Sequence, residues 1–104
     1  MINSICFYFP YLEDSGVPVL FYRMANAIAQ KRSDISVYVI DFENGAMARH
    51  ILPLNNLKLI VFEKNIKVSI PQDSVLIMQT FVPYYWPEEL ILGREQRLFF
   101  WNLH

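Results

Sequence analysis

The chain has 104 residues, nine basic and ten acidic side chains, a formal net charge of −1, 54% hydrophobic residues and 15% aromatic residues. That length suits one domain and is short for a whole α/β enzyme, and the balanced charge gives no electrostatic argument for nucleic acid, whose binding needs a clustered basic surface. The apolar excess predicts surface that something covers: a second domain, a partner or a membrane face.

The single cysteine, Cys6, lies in an apolar run. It reads as a buried strand residue rather than a nucleophile, and a lone thiol, which cannot form an internal disulfide, fits a reducing cytoplasm. No apolar run is long enough to span a bilayer. The first apolar stretch has no basic leader and is interrupted by Pro10, Glu13 and Asp14, so it does not read as a signal peptide. No repeat or low-complexity segment is evident.

Residues 4–11, Ser-Ile-Cys-Phe-Tyr-Phe-Pro-Tyr, form a near-continuous apolar run, the pattern of a strand buried on both faces, with Pro10 ending it. Residues 12–18 read as a loop carrying Glu13, Asp14, Ser15 and Gly16. A helix is predicted over 19–31, with Pro18 in its first turn and Leu20, Met24, Ala27, Ile28 and Lys31 along a largely apolar face. Residues 35–42 are rich in β-branched side chains and predict a second strand. Together these segments make a βαβ unit, with parallel strands and a right-handed crossover.

Beyond it, 44–52 reads as a short helix stopped by Pro53. Residues 57–63 and 66–70 both alternate, and Lys64-Asn65 between them suggests a hairpin. A turn at 71–73 precedes a buried strand over 74–81; an aromatic loop at 83–86 leads to a short helix over 87–92, and a last strand covers 97–103. The chain then ends at His104 with no covering helix, which creates the expectation of a longer parent protein.

In an open α/β sheet, ligands bind outside the carboxyl ends of the strands. That rule selects residues 13–17, 41–44, 79–85 and 102–104. Gly16 precedes a helix amino terminus, whose N–H groups suit an anion. There is no Gly-x-Gly-x-x-Gly and no P-loop lysine, which argues against a complete dinucleotide site. Asp41 stands where a dinucleotide fold places its ribose-binding acid. Phe81, Tyr84, Tyr85 and Trp86 form an aromatic group suited to sugar rings, lipid headgroups, a partner protein or simple loop packing. His104 is a titratable group at a strand end. His50 reads as solvated surface, and no cluster has metal-ligand spacing.

The order of segments resembles the amino-terminal domain of retaining, family-four-like glycosyltransferases of GT-B fold. The residues that carry the likeness are Ile5-Cys-Phe-Tyr-Phe-Pro-Tyr, Ser15-Gly16-Val17, the helix from Phe21 to Ala29, and Leu98-Phe-Phe-Trp-Asn-Leu-His104. The loop has one glycine where many relatives have two, and Gln79-Thr80-Phe81 stands where many carry a histidine. The resemblance implies one Rossmann-like, acceptor-side domain over residues 1–104: an open, mainly parallel sheet with flanking helices and one added hairpin. The donor-binding domain would be absent, leaving the fragment inactive alone. It implies that the loop of Ser15, Gly16 and Val17 faces the cleft or the donor diphosphate, and that His104 and Thr80, the catalytic candidates, lie near the reacting sugar; Asp41, Tyr84, Tyr85 and Trp86 stand beside them as the candidate acceptor or sugar contacts. The donor would be a nucleotide-sugar, the acceptor a polysaccharide or lipid-linked sugar, with no cofactor, no metal and no nucleic acid. The setting would be the cytoplasm, with peripheral contact at the inner membrane face. Two rivals stand beside this reading: a receiver-like module, and a small interaction protein whose apolar surface is hidden in a homo-oligomer.

Overall fold

The computed structural model describes residues 3–79, 86–93 and 97–101, the last three of these through their backbone alone. It is an α/β domain. Five parallel strands lie in the order β3-β2-β1-β5-β7, formed by β1 (Ser4–Tyr8), β2 (Ser36–Asp41), β3 (Leu57–Val61), β5 (Ser74–Gln79) and β7 (Arg97–Trp101). The helix α1 (Gly16–Lys31) joins β1 to β2, and a separate two-stranded parallel ribbon pairs β4 (Val68–Ser69) with β6 (Leu90–Ile91).

Alternation along the strands divides the core in two. Phe7, Val37, Val39 and Ile77 point to the helix side and pack with Phe21, Ala25 and Ala29 of α1. Cys6, Tyr8, Ile40, Leu76 and Met78 point the other way and pack with Val68, Ile70 and Leu90 around the ribbon. Each strand of the central trio is therefore buried on both sides, which is why the sequence reads as continuous apolar runs. The connections follow the same division. Those from β1 to β2 and from β2 to β3 run over the helix side, through α1 and then Met47. That from β3 to β5, and residues 86–91 of that from β5 to β7, run over the ribbon side. Right-handed crossovers require this change of face when the chain reverses direction along the sheet. The reversal falls between β1 and β5, and it places the topological switch point at their carboxyl ends.

The helix begins three residues before the predicted start, at Gly16, with Ser15 as its N-cap residue. Its buried stripe is Pro18, Phe21, Ala25 and Ala29. Ala27, assigned above to the apolar face, is exposed, because the stripe advances in steps of three and four from Pro18 rather than from Leu20. At its other end the Asn56 side chain donates to the carbonyls of Ala29, Arg32 and Ile35 at 3.0, 3.1 and 3.0 Å, tying the helix exit to the start of β2.

Four local predictions need correction. α1 is the single α-helix among the described residues, where flanking helices were expected. The segment 44–52 is a run of turns: Ala48 N–H donates to the Asp41 carboxylate at 3.0 Å, and Asn44 C=O accepts from Arg49 Nη1 at 3.0 Å, so side chains replace both halves of one helical bond. The hairpin is absent. Lys64-Asn65 does turn, with Asn65 at φ 69°, but Val68–Ser69 pairs in parallel with Leu90–Ile91 instead of returning along β3. The physical reason is burial, since a hairpin would extend the sheet sideways and leave Cys6, Tyr8, Leu76 and Met78 without cover. Finally, 87–92 is a turn closed by Leu90 N–H to Pro87 C=O at 3.2 Å, followed by β6.

Candidate functional site

The carboxyl ends of β1 and β2 carry two loops, residues 9–15 and 42–56, held together from the inside by Asp41. The Asp41 side chain is fully buried. Its Oδ1 accepts from Tyr11 N–H at 3.1 Å and Phe42 N–H at 2.8 Å, and its Oδ2 accepts from Ala48 N–H at 3.0 Å. Ala46 N–H adds a bond to Tyr11 C=O at 2.7 Å. Burial raises the Asp41 carboxyl above its ordinary range, and the backbone donors, Ala48 first, offset part of that rise. Gly45 completes the arrangement. A Cβ at this position would lie 2.0 Å from Asp41 Oδ1, so only glycine lets the loop close over the carboxylate.

This geometry bears on the sugar or ribose contact expected of Asp41. The acid does stand at the end of β2, but it has no exposed surface and serves three backbone N–H groups. Its position matches that of a ribose-binding acid, whereas its oxygens face inward to the loops.

Outside this clamp, Asp14 Oδ1 pairs with Arg49 Nη2 at 3.2 Å and His50 Nε2 at 3.3 Å. Arg49 Nη1 also donates to Leu12 C=O at 2.9 Å. His50 stacks on Tyr22 of α1, with centroids 4.7 Å apart and planes 22° from parallel. Asn26 fixes the backbone beneath, donating to His50 C=O at 3.1 Å and accepting from Leu52 N–H at 2.9 Å. His50, read above as solvated surface, is thus exposed but engaged. The sequence offered no signal for this, because Asp14 and His50 are distant along the chain.

Ser15 and Gly16 are exposed at the amino end of α1, and Val17 is half-buried. No atom lies within 4 Å of where a Gly16 Cβ would stand, and Gly16 has no positive φ. Packing does not demand glycine there.

On the ribbon side of the same edge, a groove of about 590 Å³ opens beside the end of β1. Its walls are Tyr8, Phe42, Phe62 and Trp86, and its rim includes Lys64, Asn65, Glu88 and Glu89. Phe62 meets Tyr8 and Phe42 edge-on, at centroid distances of 5.6 and 5.8 Å. Trp86 Nε1–H donates to Leu90 C=O at 3.3 Å, which anchors the indole. Glu89 Oε2 accepts from Asn65 N–H at 3.0 Å, and this bond holds the Glu89 carboxyl below its ordinary range. A second groove of about 380 Å³ continues along Leu12, Phe42, Val61 and Lys64.

Of the residues singled out in the sequence, Ser15, Gly16, Val17, Asp41 and Trp86 all belong to this edge, although Trp86 stands on the ribbon side. Thr80, Phe81, Tyr84, Tyr85 and His104 lie outside the described residues. Among the described residues no group of three or more His, Cys, Asp or Glu side chains is placed to hold a metal ion. No helix among them is long and apolar enough to cross a membrane. Cys6 is fully buried, and burial pushes its thiol up to about 11, far from thiolate chemistry. No protein-family model, curated protein or solved structure matches the chain.

Proposed function

We propose that this chain is the acceptor-side lobe of a retaining glycosyltransferase of GT-B type. In this reading the full protein moves a sugar from a nucleotide-sugar to a polysaccharide or lipid-linked acceptor at the cytoplasmic membrane face. The observation that carries the reading is the reversal of the sheet between β1 and β5 beside an uncrowded Gly16. A doubly wound sheet offers its ligand surface at that point, and a glycine that the fold does not need is suited to close approach by a ligand. The inward commitment of Asp41 supports the same reading by removing the usual ribose contact of a dinucleotide domain.

In the proposed mechanism the donor lobe closes over this edge. The backbone at Ser15, Gly16 and Val17 approaches the donor diphosphate, and the amino end of α1 favours its negative charge. The resemblance assigns Thr80 and His104 as the candidates to act on the reacting sugar. Rate enhancement comes from holding donor and acceptor in register and from stabilising the departing diphosphate.

The test is nucleoside diphosphate release by the full-length polypeptide across a panel of nucleotide-sugars, with the 104-residue chain as control. Release by the full protein and none by the chain alone is the expected result. A full-length product with no second lobe, or one that neither binds nucleoside diphosphates nor transfers sugar, overturns the reading.

A second reading is favoured by the exposed apolar side chains on this edge: Tyr11, Leu12 and Val61 are 40%, 52% and 42% exposed. They suit an interaction module that oligomerises or meets a partner through this surface. Sedimentation of the chain as a homodimer, abolished by Leu12→Glu with Val61→Glu, would favour that module.

A further inference from the structure

We propose that two copies of this chain pair through the outer edge of β3, antiparallel about a twofold axis at Leu59, joining their sheets into one with five strands from each copy. The proposal rests on the second reading above and deepens it, naming a second copy as the partner and a strand edge as the surface. β3 ends the sheet, and among the described residues no strand pairs with its outer side. Asn56 C=O accepts from Val37 N–H at 2.7 Å, and Phe62 N–H donates to Asp41 C=O at 2.7 Å. The even-numbered residues of this stretch therefore face β2, and Leu57, Leu59 and Val61 turn their N–H and C=O groups away from it. Such an edge is a template for another strand, and β3 has no proline and a single charged residue, Lys58, to blunt it.

The strand is its own complement, which favours a second copy over an unrelated peptide. In the twofold register Leu59 faces its own copy, and Leu57 faces Val61 of the second copy. The two Leu59 residues then exchange N–H and C=O bonds across the axis, and each Val61 N–H donates to the opposite Leu57 C=O. Leu57 N–H needs no partner there, because it already donates to Leu54 C=O at 3.2 Å. The side chains agree with this register. Leu57 and Leu59 pack against the helix-side core, and Val61, on the same side by alternation, is 42% exposed. Pairing sets that exposed valine beside the buried Leu57 of the other copy. On the ribbon side Lys58 falls opposite Ile60 rather than opposite its own copy, so no like charges meet, and its stem covers the half-buried isoleucine. A net charge of −1 per copy adds little repulsion.

Sedimentation velocity of the 104-residue chain over a range of concentrations reads the pairing, and a concentration-dependent dimer is expected. Leu59→Pro removes an N–H that β2 does not use, a change an edge strand tolerates, and should weaken self-association at least about tenfold. Mild oxidation of variants with one added cysteine reads the register, since the native Cys6 is fully buried. Leu59→Cys should form a disulfide-linked dimer, because the register sets the two Cα atoms about 5.5 Å apart, inside the disulfide range. Val61→Cys, whose copy lies roughly 14 Å further along the partner strand, should not. These two variants decide the matter if Leu59→Pro fails to fold. A chain that stays monomeric, a dimer undiminished in folded Leu59→Pro, or cross-linking of Val61→Cys as readily as Leu59→Cys overturns the proposal. A dimer that survives Leu59→Pro and is lost in Leu12→Glu keeps the second reading and ends the edge pairing. A dimer lost in folded Leu59→Pro and kept in Leu12→Glu establishes β3 as the interface.

Discussion

Two acid–glycine pairs stand on the same edge of the sheet, and the fold treats them in opposite ways. Asp41 and Gly45 are buried, and the carboxylate fills the space a Gly45 side chain would need. Asp14 and Gly16 are exposed; the acid makes surface ion pairs, and the glycine meets nothing. The first pair is consumed by structure. Its hydrogen bonds build the floor on which the edge rests, so it has nothing left for a ligand. The second pair is spare, and a ligand can use it without cost to the fold. The acid at the end of β2 therefore carries less functional information than its position suggests, and the glycine that opens α1 carries more.

The largest expected effects come from breaking the buried pair. Asp41→Ala removes a fully buried acceptor shared by three partly buried backbone N–H groups, and roughly 2–4 kcal/mol of stability should be lost. Gly45→Ala forces a methyl group onto the carboxylate and should cost about 2–3 kcal/mol or prevent folding. Urea unfolding measures both. The two losses should not add, because either change dismantles the same contact. A Gly45→Ala variant of wild-type stability would show that the loop does not close over Asp41.

A weaker effect separates burial from bonding at Asp41. Its folded-state pKa is raised, so the folded chain holds this proton more tightly than the unfolded chain. The contribution of this group is then most favourable below about 3.9, the ordinary aspartate value. It declines as pH rises from there through the folded-state value. Chemical denaturation at stepped pH from 4 to 7 should show this decline against the trend of the exposed acids, and Asp41→Asn should remove it. Stability that rises across this range by more in the wild type than in Asp41→Asn would mean that the backbone donors outweigh burial.

Much of the architecture was legible because buried parallel strands leave a strong mark. The apolar runs around Phe7, Val39 and Leu76 marked central strands, and Pro18 marked the first turn of α1. The ribbon was not legible, since Val68 and Ile70 alternate in the same way whether they extend β3 or cover Cys6 and Tyr8. Only the need to cover the second face decides between these. The turns at 44–52 were missed for a related reason. Helical spacing shows which side chains can align, but not that Asp41 and Arg49 take the backbone groups that a helix would use. At the site, Gly16 and Trp86 were visible from residue type and position. The pairing of Asp14 with His50 was not, because it depends on two loops meeting in space.

The exposed pair should barely register in stability. Asp14 is 52% exposed in its side chain and its partners Arg49 and His50 are 43% and 40% exposed, so Asp14→Ala should cost no more than about 1 kcal/mol. That cost should shrink when salt is raised, as screening predicts for an exposed pair. A thermal melt at low and high ionic strength measures it. A loss as large as that of Asp41→Ala would show that the outer ion pairs carry the loop after all.

Gly16→Ala is the smallest change in stability and the most informative about function. A methyl group at Gly16 meets no atom within 4 Å, and alanine restricts the unfolded chain more than glycine does, so the melting temperature should stay level or rise, with a gain of about 0.4–1 kcal/mol at most. Sugar transfer by the full-length protein should nevertheless fall, because the same methyl group would stand between the α1 amino end and the donor diphosphate. The two readouts must move in opposite directions for the proposal to hold. A variant both more stable and fully active would mean that no ligand approaches this backbone. Gly16 would then be an ordinary turn residue, and the search for the donor contact would move toward Trp86.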